Sequence, residues 1–273
     1  MKNTLKMIWI LALGAGLFTM SSCTDDDEDP EPDGSGNTGE TVCYPTKVVS
    51  TDSDGDDTYD YTYNSDNQLI ESKNTYDGDV ETTTYDYTDG KLMTATSGTS
   101  VATFVYADGA AMPNRVNITE DGENSEFLII ETNSDDQITK VEYHYYDDGQ
   151  AMLDFVDTYT YIDGSVETYI SETYDNETET FETDLELTDF VFDDKKSPYG
   201  GQLAFSYEGD FNPLTVTRNN LISANLIADD GQGGQLKLPY NATYEYNANN
   251  YPTSSSLTLL GQSTNIVITY NCK

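Results

Sequence analysis

The feature that most constrains the fold of this chain is a repeated pair of aromatic residues, two positions apart, before a short polar turn. Residues two apart in a β-strand point to the same face, so each pair gives its strand one aromatic and one polar side. The turns are rich in Asp-Gly and Asn, which tolerate the positive φ angles of tight hairpins. The copies are Tyr61 and Tyr63, Tyr85 and Tyr87, Phe104 and Tyr106, Tyr143 and Tyr145, Tyr159 and Tyr161, Phe205 and Tyr207, and Tyr244 and Tyr246.

These repeats predict an all-β fold, an antiparallel meander of hairpins curled into a soluble barrel or barrel-like sheet with the tyrosines inward. No segment after residue 22 has a convincing helical pattern. A membrane-spanning barrel is the alternative reading of the same repeats. A lipid-facing strand surface must be apolar, however, and Asp60, Thr62 and Asp86 lie opposite the tyrosines.

The first 22 residues have the layout of a secretion signal. Lys2 and Lys6 precede an apolar run over residues 7–18, which is too short to remain as a membrane-spanning helix. Residues 20–23, Met-Ser-Ser-Cys, resemble the lipobox of bacterial lipoproteins. That resemblance implies cleavage before Cys23 and lipid on its side chain, and an ordinary signal peptide is the alternative.

An acidic run over residues 25–29 and a Pro, Gly and Ser-rich stretch follow Cys23. The run resembles the surface-export signal of some Gram-negative lipoproteins, which implies an outward-facing location at the outer membrane. The predicted organisation is a signal peptide over residues 1–22, a lipidated acidic linker over residues 23–41, and a single β domain over residues 42–273.

The charge of the chain excludes some partners. It has 12 basic and 50 acidic residues, a net charge of −38. Nucleic-acid binding relies on Lys and Arg that neutralise phosphates, so we expect no nucleic-acid partner. The same charge opposes direct contact with anionic lipid headgroups. The expected partners are the membrane, through the lipid anchor, and an extracellular ligand or outer-membrane protein.

Cys43 and Cys272 lie at the two ends of the predicted β domain, and they are the candidate disulfide. A location outside the inner membrane permits disulfides, and two buried free thiols are the alternative. A bond requires the two Cα atoms to lie within about 7 Å. The first and last strands would then be neighbours, and the sheet would close.

The sequence offers no catalytic residues and no cofactor motif. His144 is the single histidine and sits between two tyrosines, which predicts an outward position on a strand. No Gly-x-Ser-x-Gly elbow or glycine-rich phosphate loop accompanies it. Asp52, Asp54 and Asp56 resemble the start of a calcium loop, but Gly occupies the fourth position rather than the sixth. A hairpin turn is the preferred interpretation.

The repeats resemble tyrosine-aspartate (YD, or RHS-type) repeats. The whole layout is also similar to a family of uncharacterised bacterial lipoprotein domains described as porin-like, over most of residues 42–273. The segments that carry this resemblance are residues 192–199, Asn219-Asn220, residues 244–247 and residues 251–253. The resemblance implies a fold and a location, and it brings no catalytic residue.

The leading functional hypothesis is a surface-displayed, non-catalytic lipoprotein that binds or scaffolds an extracellular ligand or partner. One alternative is a glycoside hydrolase that uses two carboxylates, and another is a structural component of an outer-membrane complex. Clustered carboxylates in a deep cleft would favour the hydrolase. A large exposed apolar patch would favour the complex.

Overall fold

The computed structural model describes residues 41–52, 55–199, 202–229, 235–259 and 262–273. The predicted signal peptide, Cys23 and nearly all of the linker lie outside the described residues.

Sixteen strands form one closed antiparallel barrel in which every strand pairs with its neighbours in sequence, and β1 pairs with β16. The predicted all-β meander is confirmed, and it is fully closed. The strands are β1 Cys43–Thr51, β2 Asp56–Tyr63, β3 Leu69–Tyr76, β4 Asp79–Thr88, β5 Lys91–Ser97, β6 Ser100–Val105, β7 Arg115–Glu120, β8 Glu123–Thr132, β9 Ile138–Asp147, β10 Gln150–Ile162, β11 Ser165–Asp175, β12 Thr180–Phe192, β13 Leu221–Asp229, β14 Gln235–Tyr246, β15 Pro252–Leu259 and β16 Gln262–Cys272.

The seam of the barrel joins the first and last strands. Cys43 lies directly opposite Cys272 in the register of β1 and β16. The two cysteines form a disulfide in the structure, with their Cα atoms 4.0 Å apart. We call this end of the barrel the disulfide end and the opposite end the far end. Closure removes both free sheet edges, which otherwise invite aggregation.

Asp-Gly turns connect five of the hairpins, as the composition of the turns predicts. In each, the Asp has a φ of 48° to 52° and the Gly a φ of 79° to 87°. Two successive positive φ angles are the requirement of the tight hairpin turn, and Asp and Gly tolerate them best. The five turns are Asp77-Gly78, Asp89-Gly90, Asp121-Gly122, Asp148-Gly149 and Asp163-Gly164.

Tyrosine hydroxyls reinforce the disulfide end in a regular way. Five inward tyrosines near the ends of alternate strands each donate a hydrogen bond of 2.7 to 2.9 Å to a backbone carbonyl at the start of the preceding strand. A buried phenol needs such a partner, and the carbonyls supply it. The pairs are Tyr63 with Pro45, Tyr106 with Leu92, Tyr161 with Ile138, Tyr244 with Leu221, and Tyr270 with Pro252.

The outer face of the barrel carries polar and charged side chains within its strands. Asp60 and Thr62 on β2, Asp86 on β4 and Glu245 on β14 are exposed, while the tyrosines beside them point inward. Charged side chains in the middle of strands are costly on a surface that faces lipid. The predicted inward orientation of the tyrosines is therefore confirmed.

The connection between β12 and β13 corrects one prediction from the sequence. It contains two short helices, α1 over Leu203–Glu208 and α2 over Pro213–Val216. The prediction that no helix follows residue 22 was therefore wrong. Phe205 and Tyr207 lie in α1, not in a strand. Helices of six and four residues have fewer than two turns, which is too few to display a helical period. Among the described residues, neither helix has the length and apolar character that would let it cross a membrane.

Residues 193–199 and 202–220, which we call the plug, enter the barrel from the disulfide end and pack on its inner wall. Phe205 packs on Tyr61 of β2 with ring centroids 5.0 Å apart, and Tyr207 packs on Phe104 of β6 at 5.2 Å. On the opposite side, wall tyrosines bond to the plug backbone. Contacts with several sides of the wall place the plug inside the barrel.

Candidate functional site

The two ends of the plug are tied together at the disulfide end. The Asp193 carboxylate accepts hydrogen bonds of 3.0 Å from both the backbone N and the side-chain Nδ2 of Asn220. The Tyr246 hydroxyl donates to the same carboxylate. The backbone N of Ser197 donates to the Arg218 carbonyl at 2.9 Å. The separate segments that carry the family resemblance thus meet at one place in the fold.

A cleft of about 330 Å³ opens between the plug ends and the start of β1. We call it the mouth cleft. Its volume lies at the lower end of the range found for small-molecule sites. The side chains that give it polar and aromatic character are Tyr44, Lys196, Ser197, Gln202, Arg218 and Tyr251.

The lining of the mouth cleft is positively charged, whereas the chain as a whole is strongly negative. It is lined by Lys196 and Arg218, and none of its lining residues is acidic. The Lys196 Nζ lies 5.1 Å from the centroid of the Tyr251 ring, a cation–π contact that orients the ammonium group. Arg218 is exposed at the rim. The cleft can therefore present two cations to a negatively charged ligand.

The sequence did not predict the roles of the basic residues in the mouth cleft. Lys196 falls in a motif that carried the family resemblance, but the motif gave no hint of its role. Arg218 is 22 positions away in sequence, and only the plug brings it close to Lys196 and Tyr44.

A second group of interest is the Asp157 carboxyl, which has no exposed surface and points into the lumen from β10. Burial raises its pKa to about 7, against the lowering effect of the Ser171, Tyr169 and Tyr143 hydroxyls. The charge of Asp210 in the plug adds to the rise. Neither oxygen of Asp157 has a hydrogen-bond partner of standard geometry among the described residues.

The tip of the plug is held close to this carboxyl. Tyr143 donates a 2.8 Å hydrogen bond to the Asp210 carbonyl, and Tyr159 donates to the Phe211 carbonyl. Across the lumen, Ser72 and Tyr85 both donate to the Glu208 carboxylate.

Partial burial against the barrel wall raises the pKa of the Glu208 carboxyl, and the hydrogen bonds from Ser72 and Tyr85 oppose this rise. The side chain nevertheless keeps solvent-accessible surface, so water reaches this part of the lumen.

A smaller cavity of about 70 Å³ lies between the plug and strands β11 to β15. Leucines dominate its wall, and Asp210 is the one carboxylate that lines it. Neither this cavity nor the mouth cleft holds the two flanking carboxylates that glycoside hydrolysis requires. Asp157 lines neither of them.

Two of the three aspartates in the candidate calcium loop are described, and both make hydrogen bonds within a hairpin turn. Asp52 accepts from the backbone N of Gly55 at 3.0 Å, and Asp56 accepts from the Thr51 hydroxyl at 2.7 Å, as in a hairpin turn. Asp54 lies outside the described residues, so the weak calcium prediction stays untested. Within the described ranges, no three His, Cys, Asp or Glu side chains are grouped to hold a metal ion.

His144 lies on the outer face, as predicted. Its ring stacks on Phe127 of β8 with centroids 4.4 Å apart, and its Nε2 lies 3.2 Å from Glu142. Arg115 covers the same phenyl ring, with its guanidinium carbon 3.8 Å from the centroid. These contacts pack side chains across three neighbouring strands, and they account for the histidine without a catalytic role.

Comparison with known proteins supports the fold. No protein-family model and no curated protein sequence matches the chain. A porin-like protein from Bacteroides uniformis is similar in structure, with a TM-score of 0.54 and 14% identity over 83% of this chain and 96% of that one. A porin-like protein from Bacteroides vulgatus gives a TM-score of 0.49 and 10% identity over 84% of this chain and 99% of that one. At such identities the likeness concerns the fold alone. The resemblance to YD repeats stays a prediction.

Proposed function

We propose that this protein is a non-catalytic binding protein, anchored by lipid on Cys23 and displayed outward at the outer membrane, which holds an extracellular ligand in the mouth cleft. The observation that carries the proposal is the cleft itself. Its lining combines two cations, two tyrosines and an amide. Such a mixture of aromatic and a few convergent polar groups is typical of ligand sites.

The barrel wall and lumen favour binding over transport. The outer face is charged and the plug contacts the wall on several sides, so a membrane pore receives no support from this arrangement. Hydrolysis is less well supported than binding, because the mouth cleft is not lined by a carboxylate.

Anchoring and display are tested with Cys23→Ala. The unchanged chain should stay in the membrane fraction, and lysine-directed, membrane-impermeant biotin should label it on intact cells. The variant should move to the soluble fraction, because no lipid would retain it. Retention of the variant in the membrane fraction, or protection of the unchanged chain from biotin, would contradict this part of the proposal.

Ligand binding is tested by blocking the cleft. Gln202→Trp adds a bulky ring at its lining, and Gln150→Trp makes the same change on the exposed start of β10 at the far end. Thermal unfolding is followed against a panel of extracellular saccharides, organic acids and peptides. A ligand should stabilise the unchanged chain and Gln150→Trp but not Gln202→Trp. Equal stabilisation of all three would place the site elsewhere, and turnover of any compound would refute a non-catalytic role.

A further inference from the structure

We infer that the mouth cleft selects a compact organic anion, bound through Lys196 and Arg218. This inference rests on the proposed binding function and adds the class of ligand. Its basis is where the basic residues lie. The chain has 12 basic against 50 acidic residues, yet two of the basic ones line a single cleft, and no acidic residue is among the lining residues of that cleft.

The plug fixes the backbone positions of both basic residues. The backbone N of Lys196 donates to the Asn250 carbonyl at 3.1 Å, in the turn that also carries Tyr251. The next residue, Ser197, bonds to the carbonyl of Arg218. The backbone at both basic residues is therefore held by the same short network before a ligand arrives. Preorganisation of this kind reduces the entropy lost on binding.

The neighbouring basic residue is treated differently by the fold. Lys195 is adjacent to Lys196 in sequence, but its side chain does not line the cleft. This contrast provides a matched control, because the two lysines share a segment and differ in where they point.

The remaining lining limits the size and character of the anion. Tyr44 packs on Tyr63 at 5.4 Å, and Tyr251 packs on Tyr270 at 5.6 Å, so both rings are fixed. Gln202 and Ser197 add neutral hydrogen-bonding groups. A volume of about 330 Å³ suits a small molecule that has hydroxyl groups beside its negative charge.

The general negative charge of the barrel does not prevent such binding. At physiological ionic strength the Debye length is about 8 Å, so distant exposed carboxylates are largely screened. An anion within the cleft would contact the guanidinium of Arg218 directly. Arg pairs with carboxylate and phosphate through two parallel hydrogen bonds, which gives selectivity over neutral analogues.

The test is calorimetric titration of the full chain, purified in detergent, with glucuronate, glucose 6-phosphate and glucose. The two anions distinguish carboxylate from phosphate recognition, and glucose is the neutral control. We expect saturable binding of at least one anion, weaker at raised salt, and no binding of glucose. Arg218→Ala and Lys196→Ala should each weaken it about tenfold to a hundredfold, and Lys195→Ala by less than about twofold. Circular dichroism confirms that each variant is folded.

Three outcomes would overturn the inference. Binding of glucose as tight as that of the anions, or anion binding that Arg218→Ala and Lys196→Ala leave unchanged, would show that these cations do not select the ligand. If neither anion binds the unchanged chain saturably, the ligand of the cleft is not a compact organic anion. In each case, the proposed binding function is judged separately, by whether Gln202→Trp abolishes stabilisation by a ligand from the wider panel.

Discussion

The buried carboxyl of Asp157 should make the stability of the barrel depend on pH in a defined direction. Burial raises the pKa of Asp157 from the ordinary 3.8 to about 7 in the folded protein. Between these values the folded state keeps a proton that the unfolded chain releases. The folded state therefore loses stability relative to the unfolded chain as pH rises from about 4 to 7, and above that range the full cost is present.

The magnitude follows from the same two values. One pKa unit corresponds to 1.36 kcal/mol, so the interval from 3.8 to about 7 corresponds to about 4 kcal/mol. Asp157→Asn stays neutral at every pH and should escape this cost. We therefore expect the free energy of unfolding of the variant, minus that of the unchanged protein, to increase by up to about 4 kcal/mol between pH 4 and pH 8.

The assay is denaturant unfolding followed by tyrosine fluorescence at several pH values from 4 to 8. Other carboxylates titrate in the same range, but those that do not interact with Asp157 contribute equally to the two proteins and cancel in the difference. Asp60→Asn, on the exposed outer face of β2, controls for the loss of one negative charge. If Asp157→Asn and the unchanged protein have parallel pH profiles, the carboxyl is not held protonated by burial and the reasoning fails.

Two further predictions concern the disulfide end. Tyr161→Phe removes the hydroxyl that donates to the Ile138 carbonyl at 2.7 Å. Chemical denaturation should show a free energy of unfolding lower by about 1 kcal/mol. An unchanged free energy would mean that water replaces the hydrogen bond without loss. Mass spectrometry of the digested, non-reduced protein should find Cys43 joined to Cys272, and reduction should destabilise the barrel by about 2–5 kcal/mol in the same unfolding assay. Two free thiols, or equal stability of the oxidised and reduced proteins, would contradict it.

Much of the barrel could be predicted from the sequence, because its hairpins depend on local chemistry. An Asp-Gly pair such as Asp89-Gly90 supplies two positive φ angles wherever it occurs, and the alternation on either side decides which face is buried. The number of strands and the closure of the barrel depend on pairing between segments that are distant in sequence. The repeats alone do not determine either. Cys43 and Cys272 supplied the one long-range clue, because a bond between them requires β1 beside β16.

The plug could not be predicted, because its conformation depends on the wall around it. Asp210 and Phe211 have φ angles of 49° and 55°, a left-handed conformation that is unfavourable for a bulky residue such as Phe. Tyr143 and Tyr159 stabilise this turn by donating to these two carbonyls, and Phe211 is completely buried. Tyr159 belongs to an aromatic pair that the sequence assigned to the core. Its second role, as a donor to the plug, requires the fold.

The candidate site could not be predicted from the sequence for the same reason, because it too depends on the folded wall, whereas the core could be predicted. A core residue is recognised by what precedes and follows it in the strand, as Tyr61 and Tyr63 are. The mouth cleft instead combines the start of β1, the two ends of the plug and the turn before β15, which are far apart in sequence. Each basic residue there looks like an ordinary surface charge when read alone. The site exists because the Asp193 carboxylate and Asn220 bring the plug ends together, so Asp193→Ala should disrupt the cleft while leaving every strand pairing in place.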